Sequence, residues 1–360
     1  MKLISLTPIL LSFTSLSVSL YADKTVTLPN GVTLEMVSIP AGTFTMGSPE
    51  NEAERRKDET AHPVKMTVPF WLGKYEVTQA QWDAVMENNP SHFKGPQLPV
   101  EMIKWSDAAA FCAKLTEREH AAGHLPADYV YTLPTEAQWE YACRAGTTTT
   151  FNTGDNLTTA QANYDGNSPY NGNAKGEFRN KTTEGGTFPP NAWGLCDMHG
   201  NVWEWCLDSF RPYPKDSETD PVSPLNESQH IARGGSWINQ AHLCRAAFRN
   251  RLGTGFVCHH LGFRLALCRS HTSTSAQETI HLFNGKNLDG WYTFLKSKGK
   301  NNDPDKVFTA EDGVIHISGT ENGGITTNEE YENDTLEVEY KASEQSSGAM
   351  SLLKARRRKS

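Results

Sequence analysis

The sequence lacks three features that would place it in a common functional class. It has no basic excess, since 34 Lys and Arg stand against 42 Asp and Glu for a net charge of −8. A general nucleic-acid binder needs a basic surface to displace phosphate counterions, so that class is excluded. There is no Cys-x-x-Cys pair to support a zinc ribbon or a thioredoxin-type site. No long apolar run follows residue 20, so the mature protein is not expected to span a membrane.

The first 22 residues predict an export signal. Lys2 supplies the positive end, residues 3–20 form an uncharged apolar and hydroxyl-rich run, and Ala22 is a small residue at a plausible cleavage point. The alternative is an uncleaved membrane anchor, which the Ser and Thr residues within the run disfavour. We therefore expect a secreted or periplasmic protein without membrane association after cleavage.

Seven cysteines occur in this chain, for which we expect an oxidising compartment. Disulfides are the default interpretation there, and the odd count leaves at least one thiol unpaired or joined to another chain. The cysteines are Cys112, Cys143, Cys196, Cys206, Cys244, Cys258 and Cys268.

Residues 193–205 are the most informative segment of the chain. They include three Trp, two Gly, an Asp, an Asn and a Glu, a mixture that fits neither a helix face nor an alternating strand. The whole chain is also rich in such residues, with 9 Trp, 28 Gly and 19 Pro. This composition predicts a domain held together by aromatic packing and irregular, hydrogen-bonded loops.

Short patterns predict the regular elements of the first part of the chain. Residues 31–47 are typical of two strands joined by a Pro-Ala-Gly turn, and residues 64–77 of another strand pair. The charged residues 48–63 between them predict a surface loop. Residues 144–190 predict a long irregular stretch, which inside a compact domain is usually functional or ion-bound.

Three helices are predicted from capping signals. Thr78 precedes a helix over residues 79–87, and Ser106 is the expected N-cap of a helix that reaches residue 116. Thr135 begins a capping pattern for a short helix that ends at Cys143.

Seven short blocks follow one another in a characteristic order. They are residues 36–47, 76–79, 133–136, 138–142, 194–205, 233–236 and 262–264. Together they resemble the sulfatase-modifying factor family, whose best known member is the formylglycine-generating enzyme, over residues 30–268. The resemblance implies a compact, irregular α+β domain with little regular secondary structure, related to C-type lectins and containing bound calcium.

The resemblance also implies calcium ligands. Asp197 and Glu204 match the side-chain ligands of the family's loop site, and Gly200 and Val202 match its carbonyl ligands. Calcium prefers six to eight such oxygens. The alternative is a turn in which Asp197 and Glu204 accept backbone hydrogen bonds.

A second calcium site is implied by Asn163 and by the carbonyl of Tyr164. The other half of that site is expected within residues 175–178.

Copper is the second cofactor that the resemblance implies. The family oxidises a sulfatase cysteine with oxygen and a copper ion held by two thiolates, which suit soft Cu(I). Counted forward from Ser236, Asn239 occupies the first thiolate position and Cys244 the second, whereas counting backward from residues 262–264 moves Cys244 off the catalytic position. Ser236 and Cys244 are the catalytic candidates, and at least one thiolate is missing.

The resemblance implies disulfides as well. It favours a Cys143–Cys244 bridge, with Cys112–Cys268 as a second pairing. Other candidates are a transition-metal site at residues 258–260, whose alternative is a polar loop. Arg233 and Arg264 are expected to be buried structural arginines.

The C-terminal part begins a separate β-rich unit. Residues 269–279 lack large apolar side chains and predict a linker. Residues 282–291 resemble the start of a 3-keto-disaccharide hydrolase domain, a concanavalin-like β-sandwich that is normally longer than residues 280–360. We therefore expect a partial, truncated sandwich here.

Two functions are consistent with this sequence. The first is an exported oxidoreductase acting on a sulfatase cysteine or a related thiol, with sulfatase polypeptides as partners. The second is a non-catalytic, lectin-like binding module for glycans or proteins. The incomplete cysteine pair favours the second function, and the family resemblance favours the first.

Overall fold

The computed structural model describes six stretches of the chain. The chain divides into two compact units at the boundary between Cys268 and Arg269. The proposed signal at residues 1–22 and the linker at residues 269–279 lie almost wholly outside the described residues. Those are residues 22–223, 228–270, 280–311, 313–328, 334–342 and 350–359.

The described residues of the first unit contain twelve strands. They are β1 Lys24–Thr27, β2 Thr33–Ile39, β3 Gly42–Met46, β4 His62–Met66, β5 Phe70–Gly73, β6 Tyr129–Thr132, β7 Trp203–Ser209, β8 Glu218–Thr219, β9 Gln229–Arg233, β10 Asn250–Gly253, β11 Leu261–Gly262 and β12 Ala266–Arg269. These strands form three small sheets, with the orders β1-β2-β5-β12-β6, β10-β9-β7-β11 and β3-β4-β8.

Both predicted strand pairs contain strands, but the two strands of each predicted pair do not pair with each other. β2 pairs with β5, setting Val37 opposite Leu72, whereas β3 pairs with β4, setting Phe44 opposite Val64. The turn after Ile39 therefore carries the chain from one sheet to another. Sequence periodicity reports which residues form strands and is silent on their partners.

Three helices complete the first unit, α1 Gln79–Asp83, α2 Trp105–Ala121 and α3 Glu136–Arg144. Capping boxes at Thr78 and Thr135 begin α1 and α3 as predicted. α2 begins one residue before Ser106, after Lys104, whose backbone N–H is bound by the Asp107 carboxylate. Every residue of α3 is buried, which makes it the central helix of the unit.

The predicted irregular stretch is confirmed, since no helix or strand lies between Arg144 and Trp203, a part of the chain that is described throughout. Aromatic side chains fill the interior. Trp139 and Trp205 are fully buried, and Trp82 stacks on Phe111 at a centroid distance of 5.6 Å. The fold is therefore mixed α+β with little regular structure, as the family resemblance implies.

The second unit contains only strands among its described residues. One sheet has the order β13-β20-β17-β16 with β19 also paired to β20, and the other has the order β15-β14-β18. The strands are β13 Ile280–His281, β14 Trp291–Leu295, β15 Gly299–Lys300, β16 Phe308–Glu311, β17 Val314–Ile317, β18 Gly323–Thr327, β19 Asp334–Ala342 and β20 Met350–Lys359.

In the part of the chain that the structure describes, no helix has both the length and the apolar character needed to cross a membrane.

Candidate functional site

The loop from Asp197 to Val202, which leads into β7 and Glu204, is held in an unusual backbone conformation. Asp197 and Asn201 adopt positive φ angles of 58° and 59°, and Gly200 has a φ of 89°. A Cβ atom on Gly200 would lie only 2.2 Å from the carbonyl oxygen of Asn163, so no larger residue fits there. The Asn163 carbonyl also accepts the Asn201 N–H at 2.8 Å, which brings the two predicted calcium sites side by side.

Three carboxylates and one arginine meet beneath this loop, and we call Glu76, Asp197, Glu204 and Arg264 the acid cluster. Glu204 binds Arg264 through both oxygens at 2.6 Å and accepts the Trp139 indole N–H at 2.7 Å. Glu76 accepts the side-chain amide of Asn201 and the N–H of Val202. Asp197 accepts the Gly186 N–H through Oδ2 at 2.7 Å.

One arginine cannot neutralise three buried acids. Burial raises the pKa of Asp197 to about 6, although the Gly186 N–H and Arg264 act in the opposite direction. Burial, followed by the charges of Asp197 and Glu204, raises the pKa of Glu76 well above its usual range. Such a cluster must bind protons or attract a cation.

The residues present fit a hard cation in part. Asp197 Oδ1 is buried and has no hydrogen-bond partner, which leaves it open as a ligand. Both Glu204 oxygens are instead engaged by Arg264 and Trp139. Among the described residues no three His, Cys, Asp or Glu side chains already converge as a metal site. A cation here would therefore depend on backbone carbonyls such as those predicted at Gly200 and Val202.

The second predicted calcium site also has an open ligand. Asn163 Oδ1 is buried without a partner, while its Nδ2 donates to the Lys181 carbonyl at 2.9 Å. The segment predicted to complete the site lies against Gly166, since the Gly176 N–H donates to the Gly166 carbonyl at 2.8 Å. The Tyr164 hydroxyl binds the Leu157 carbonyl at 3.0 Å. Lys181 and Thr183 accept hydrogen bonds from the Asn163 amide nitrogen, and completion of the site by residues 175–178 stays a prediction.

The structure brings Ser236, Asn239 and Cys244 close together. The Ser236 hydroxyl donates to Asn239 Oδ1, and Ser236 is fully buried. Cys244 Sγ packs on Gly235, where a Cβ would come within 2.4 Å of the sulfur. Burial raises the pKa of the Cys244 thiol to about 12, so it is protonated at neutral pH.

The predicted disulfides are absent, because all seven cysteines are free thiols in this structure. The His199 ring contacts both Cys143 and Cys244. Its Nε2 is 3.8 Å from Cys143 Sγ, and its Nδ1 is 2.7 Å from the Cys244 carbonyl. Burial lowers the pKa of His199 to about 4, so the ring is neutral and Nδ1–H donates to that carbonyl. Cys112 and Cys268 are likewise unbridged.

The residues predicted as a surface loop include two buried acids. Glu59 is fully buried and binds Arg245 through both oxygens at 2.8 Å, and Glu52 binds the same guanidinium. Further buried pairs of glutamate and arginine lie in the interior of the unit, and we call all of these residues together the arginine network. Its members are Glu52, Glu59, Glu136, Glu140, Arg144, Arg233, Arg245 and Arg249. Arg233 and Arg264 are thus buried structural residues, as predicted.

A cluster of aromatic and histidine rings surrounds Trp237, and sequence reasoning found only part of it. Phe178 and His259 stack on the Trp237 ring at centroid distances of 6.1 Å and 5.3 Å, and Phe93 meets it edge-on. The Trp237 indole N–H donates to the His259 carbonyl. The pair His259–His260 was a sequence signal, whereas Phe93 and Phe178 lie in loops without periodicity.

Comparisons with known proteins agree with this architecture. Residues 23–268 match the model of the sulfatase-modifying factor enzyme 1-like domain. The formylglycine-generating enzyme of Mus musculus is 28% identical over 64% of this chain and 74% of its own length. That of Streptomyces coelicolor is 33% identical over 58% of this chain and 64% of its own length.

Solved structures support the same assignment. Treponema denticola variable protein 1 aligns with a TM-score of 0.56 and 31% identity, covering 69% of this chain and 99% of that protein. PvdO from Pseudomonas aeruginosa aligns with a TM-score of 0.54 and 28% identity, covering 65% and 94%. Residues 278–358 match the model of a 3-keto-alpha-glucoside-1,2-lyase-like domain. The chain therefore belongs to the sulfatase-modifying factor family and carries a 3-keto-disaccharide hydrolase-like domain after its family domain.

Proposed function

We propose that the family domain is a non-oxidising, glycan-binding module of an exported protein. The observation that carries the proposal is the state of the Ser236–Cys244 loop. Asn239 binds Ser236 where the family's chemistry requires a first thiolate. The remaining sulfur, Cys244, is a buried, protonated thiol. An amide oxygen is a poor ligand for Cu(I), which prefers thiolates.

The burial of Cys244 separates it further from copper chemistry. Its side chain lies in an apolar cluster with Phe151, Leu157, Tyr164 and Tyr170. Ionising the thiol there would bury an unpaired charge, which costs several kcal/mol. The oxidation of a sulfatase cysteine, the alternative function, therefore lacks the first of the two thiolates that it needs and would have to ionise the second in an apolar cluster.

A glycan is the ligand class that the second domain favours. That domain is similar to a 3-keto-alpha-glucoside-1,2-lyase-like domain, whose name refers to an α-glucoside. A binding module and a carbohydrate-active domain on one chain commonly bind the same polymer, so we propose an α-linked glucoside as the ligand of the family domain.

Calcium belongs to the proposed function as a structural ion. Asp197 Oδ1 and the carbonyls of Gly200 and Val202 would hold it, with Glu204 as a further ligand only if Arg264 releases one of its oxygens. The ion would supply the positive charge that the acid cluster lacks. Asn163 Oδ1, the other open oxygen, is the ligand we assign to the second site.

Two assays on the full chain test this proposal. In the first, the protein is incubated with copper and a Cys-x-Pro-x-Arg peptide, and the peptide is then weighed. An unchanged mass is expected, and a loss of mass corresponding to formylglycine would establish the oxidase function instead. In the second, binding of maltose, isomaltose and cellobiose is measured by calorimetry in calcium-containing buffer. Binding of at least one α-linked sugar is expected, and the absence of heat with all three sugars contradicts glycan binding.

A further inference from the structure

A cavity of about 350 Å³ lies between β3 and the end of α3. Its wall includes three aromatic side chains, Phe44, Tyr141 and Trp193, and we call it the Phe44–Trp193 pocket. The volume suits one or two sugar rings, within the range of small-molecule sites. None of its lining residues belongs to the acid cluster or to the Ser236–Cys244 loop.

The three rings form a continuous aromatic wall. Phe44 and Tyr141 have ring centroids 5.1 Å apart, and Tyr141 meets Trp193 edge-on at 4.8 Å. Phe44 and Trp193 are both half-buried, so part of each ring remains available to a ligand. The C–H face of a pyranose packs on such rings through dispersion and desolvation.

An exposed hydroxyl lines the pocket beside these rings. Thr148, in the loop after α3, is one of the lining residues and is exposed. Thr43 and Thr45 flank Phe44 on β3, but alternate strand residues point to opposite faces, so their hydroxyl groups lie on the face away from the Phe44 ring. A hydroxyl both donates and accepts, which matches the bonding capacity of a sugar hydroxyl.

The pocket carries no free charge among its lining residues. Arg144 is the single charged side chain there, and its guanidinium donates to Glu140, to the Gly47 carbonyl at 2.7 Å and to the Thr149 carbonyl. An anionic ligand would therefore find no unpaired cation. The lining favours a neutral ligand with many hydroxyl groups.

The Trp237 cluster, although richer in rings, is a poorer ligand site. Phe178 and His259 stack on the Trp237 ring, and the exposed fraction of Trp237 is only 3%. Its aromatic faces are thus already covered by protein. The Phe44–Trp193 pocket keeps both its ring surfaces and its space.

We propose that the Phe44–Trp193 pocket binds a neutral hexose unit, stacked on Phe44 and Trp193 and hydrogen-bonded by Thr148. This inference rests on the proposed glycan-binding function and gives that function its location. The probe is maltose, and binding to the full chain is measured by calorimetry.

Trp193→Ala is expected to weaken maltose binding at least tenfold, because it removes one stacking surface. Thr148→Val keeps the side-chain shape but removes a hydroxyl, and a three- to tenfold loss is expected. Phe256→Ala is the matched control, since Phe256 is 43% exposed and lies outside the pocket. Its affinity should equal that of the wild type. The melting temperature of each variant confirms folding.

The outcomes separate the pocket from the function. If wild type binds maltose and both Trp193→Ala and Thr148→Val bind equally well, the pocket assignment is overturned while glycan binding stands. If wild type binds maltose and only the two pocket variants lose affinity, the assignment is supported. If wild type binds none of the sugars tested, glycan binding and the pocket fail together.

Discussion

The acid cluster and the arginine network both consist of buried carboxylates and arginines but differ in charge balance. The network contains four glutamates and four arginines, whereas the acid cluster sets three carboxylates against Arg264 alone. Both lie in the interior of the unit. In the network, Arg249 and Arg233 outweigh burial and lower the pKa of Glu136, while in the cluster the pKa of Glu76 is raised.

This difference separates a structural role from a ligand-binding one. A buried acid with its own arginine is neutralised inside the protein and needs nothing more. A buried acid without one remains dependent on a proton or a cation. The comparison explains why sequence motifs rich in Asp, Glu and Arg can serve two different purposes within one domain.

The largest expected effect comes from breaking the balance of the network. Arg245→Leu leaves Glu59 fully buried without its bidentate partner. We expect the free energy of unfolding to fall by about 3–5 kcal/mol, the usual cost of an orphaned buried charge. Urea denaturation measures it. Arg56→Leu is the control, since the Arg56 side chain is 44% exposed beside Asp58, and a comparable loss there would contradict the distinction.

Asp208 tests the importance of charge balance, because it lies beside Glu136 without an arginine of its own. Burial, and then the charge of Glu136, raises its pKa to about 6, against about 3.9 in an unfolded chain. The folded protein therefore retains this proton as pH rises, and stability falls between about pH 4 and pH 6. Asp208→Asn should remove about 3 kcal/mol of this fall. Denaturation at several pH values measures it, and parallel curves for the two proteins would refute it.

Calcium should rebalance the acid cluster. At a concentration one hundred times its dissociation constant, we expect calcium to add ~2.7 kcal/mol to the free energy of unfolding. Asp197→Asn should abolish most of that gain, whereas Asp155→Asn, at an exposed aspartate, should retain it. Thermal unfolding with calcium or with a chelator tests this. Equal calcium effects in both variants would remove Asp197 from the site.

The smallest effect is expected outside both regions. Lys74 binds Glu35 at 2.8 Å, and the two side chains are 32% and 46% exposed. Solvent screens such a pair, so Lys74→Met should change the free energy of unfolding by about 0–1 kcal/mol. Urea denaturation again measures it, and a loss as large as that of Arg245→Leu would show that exposure is not the deciding variable.

Local signals in the sequence predicted the family, the mixed fold and the capped helices α1 and α3. These depend on residues near one another, such as Thr135 and Gln138. The motif spacing also placed Asp197, Gly200 and Glu204 in one short segment of the chain. The proposed metal ligation of these residues stays a prediction.

Pairings across the chain could not be predicted. Glu59 looked like part of a surface loop because its partner, Arg245, lies 186 residues away. The predicted Cys143–Cys244 bridge is not formed in this structure, and the contacts of His199 with both cysteines have no local sequence signal. The Phe44–Trp193 pocket likewise joins a strand near the start of the domain to the loop that precedes the acid cluster.

The separation between these partners has a consequence for how the domain folds. Arg245 meets Glu52 across 193 residues, and Arg249 meets Glu136 across 113. Contacts of such range close large loops, which makes folding slow. On the ribosome, Glu52 and Glu59 emerge long before the arginine that neutralises them. The largest sheet also needs β12, which ends at Arg269. A fragment that stops before residue 245 therefore lacks one strand of that sheet as well as the arginine that neutralises Glu52 and Glu59.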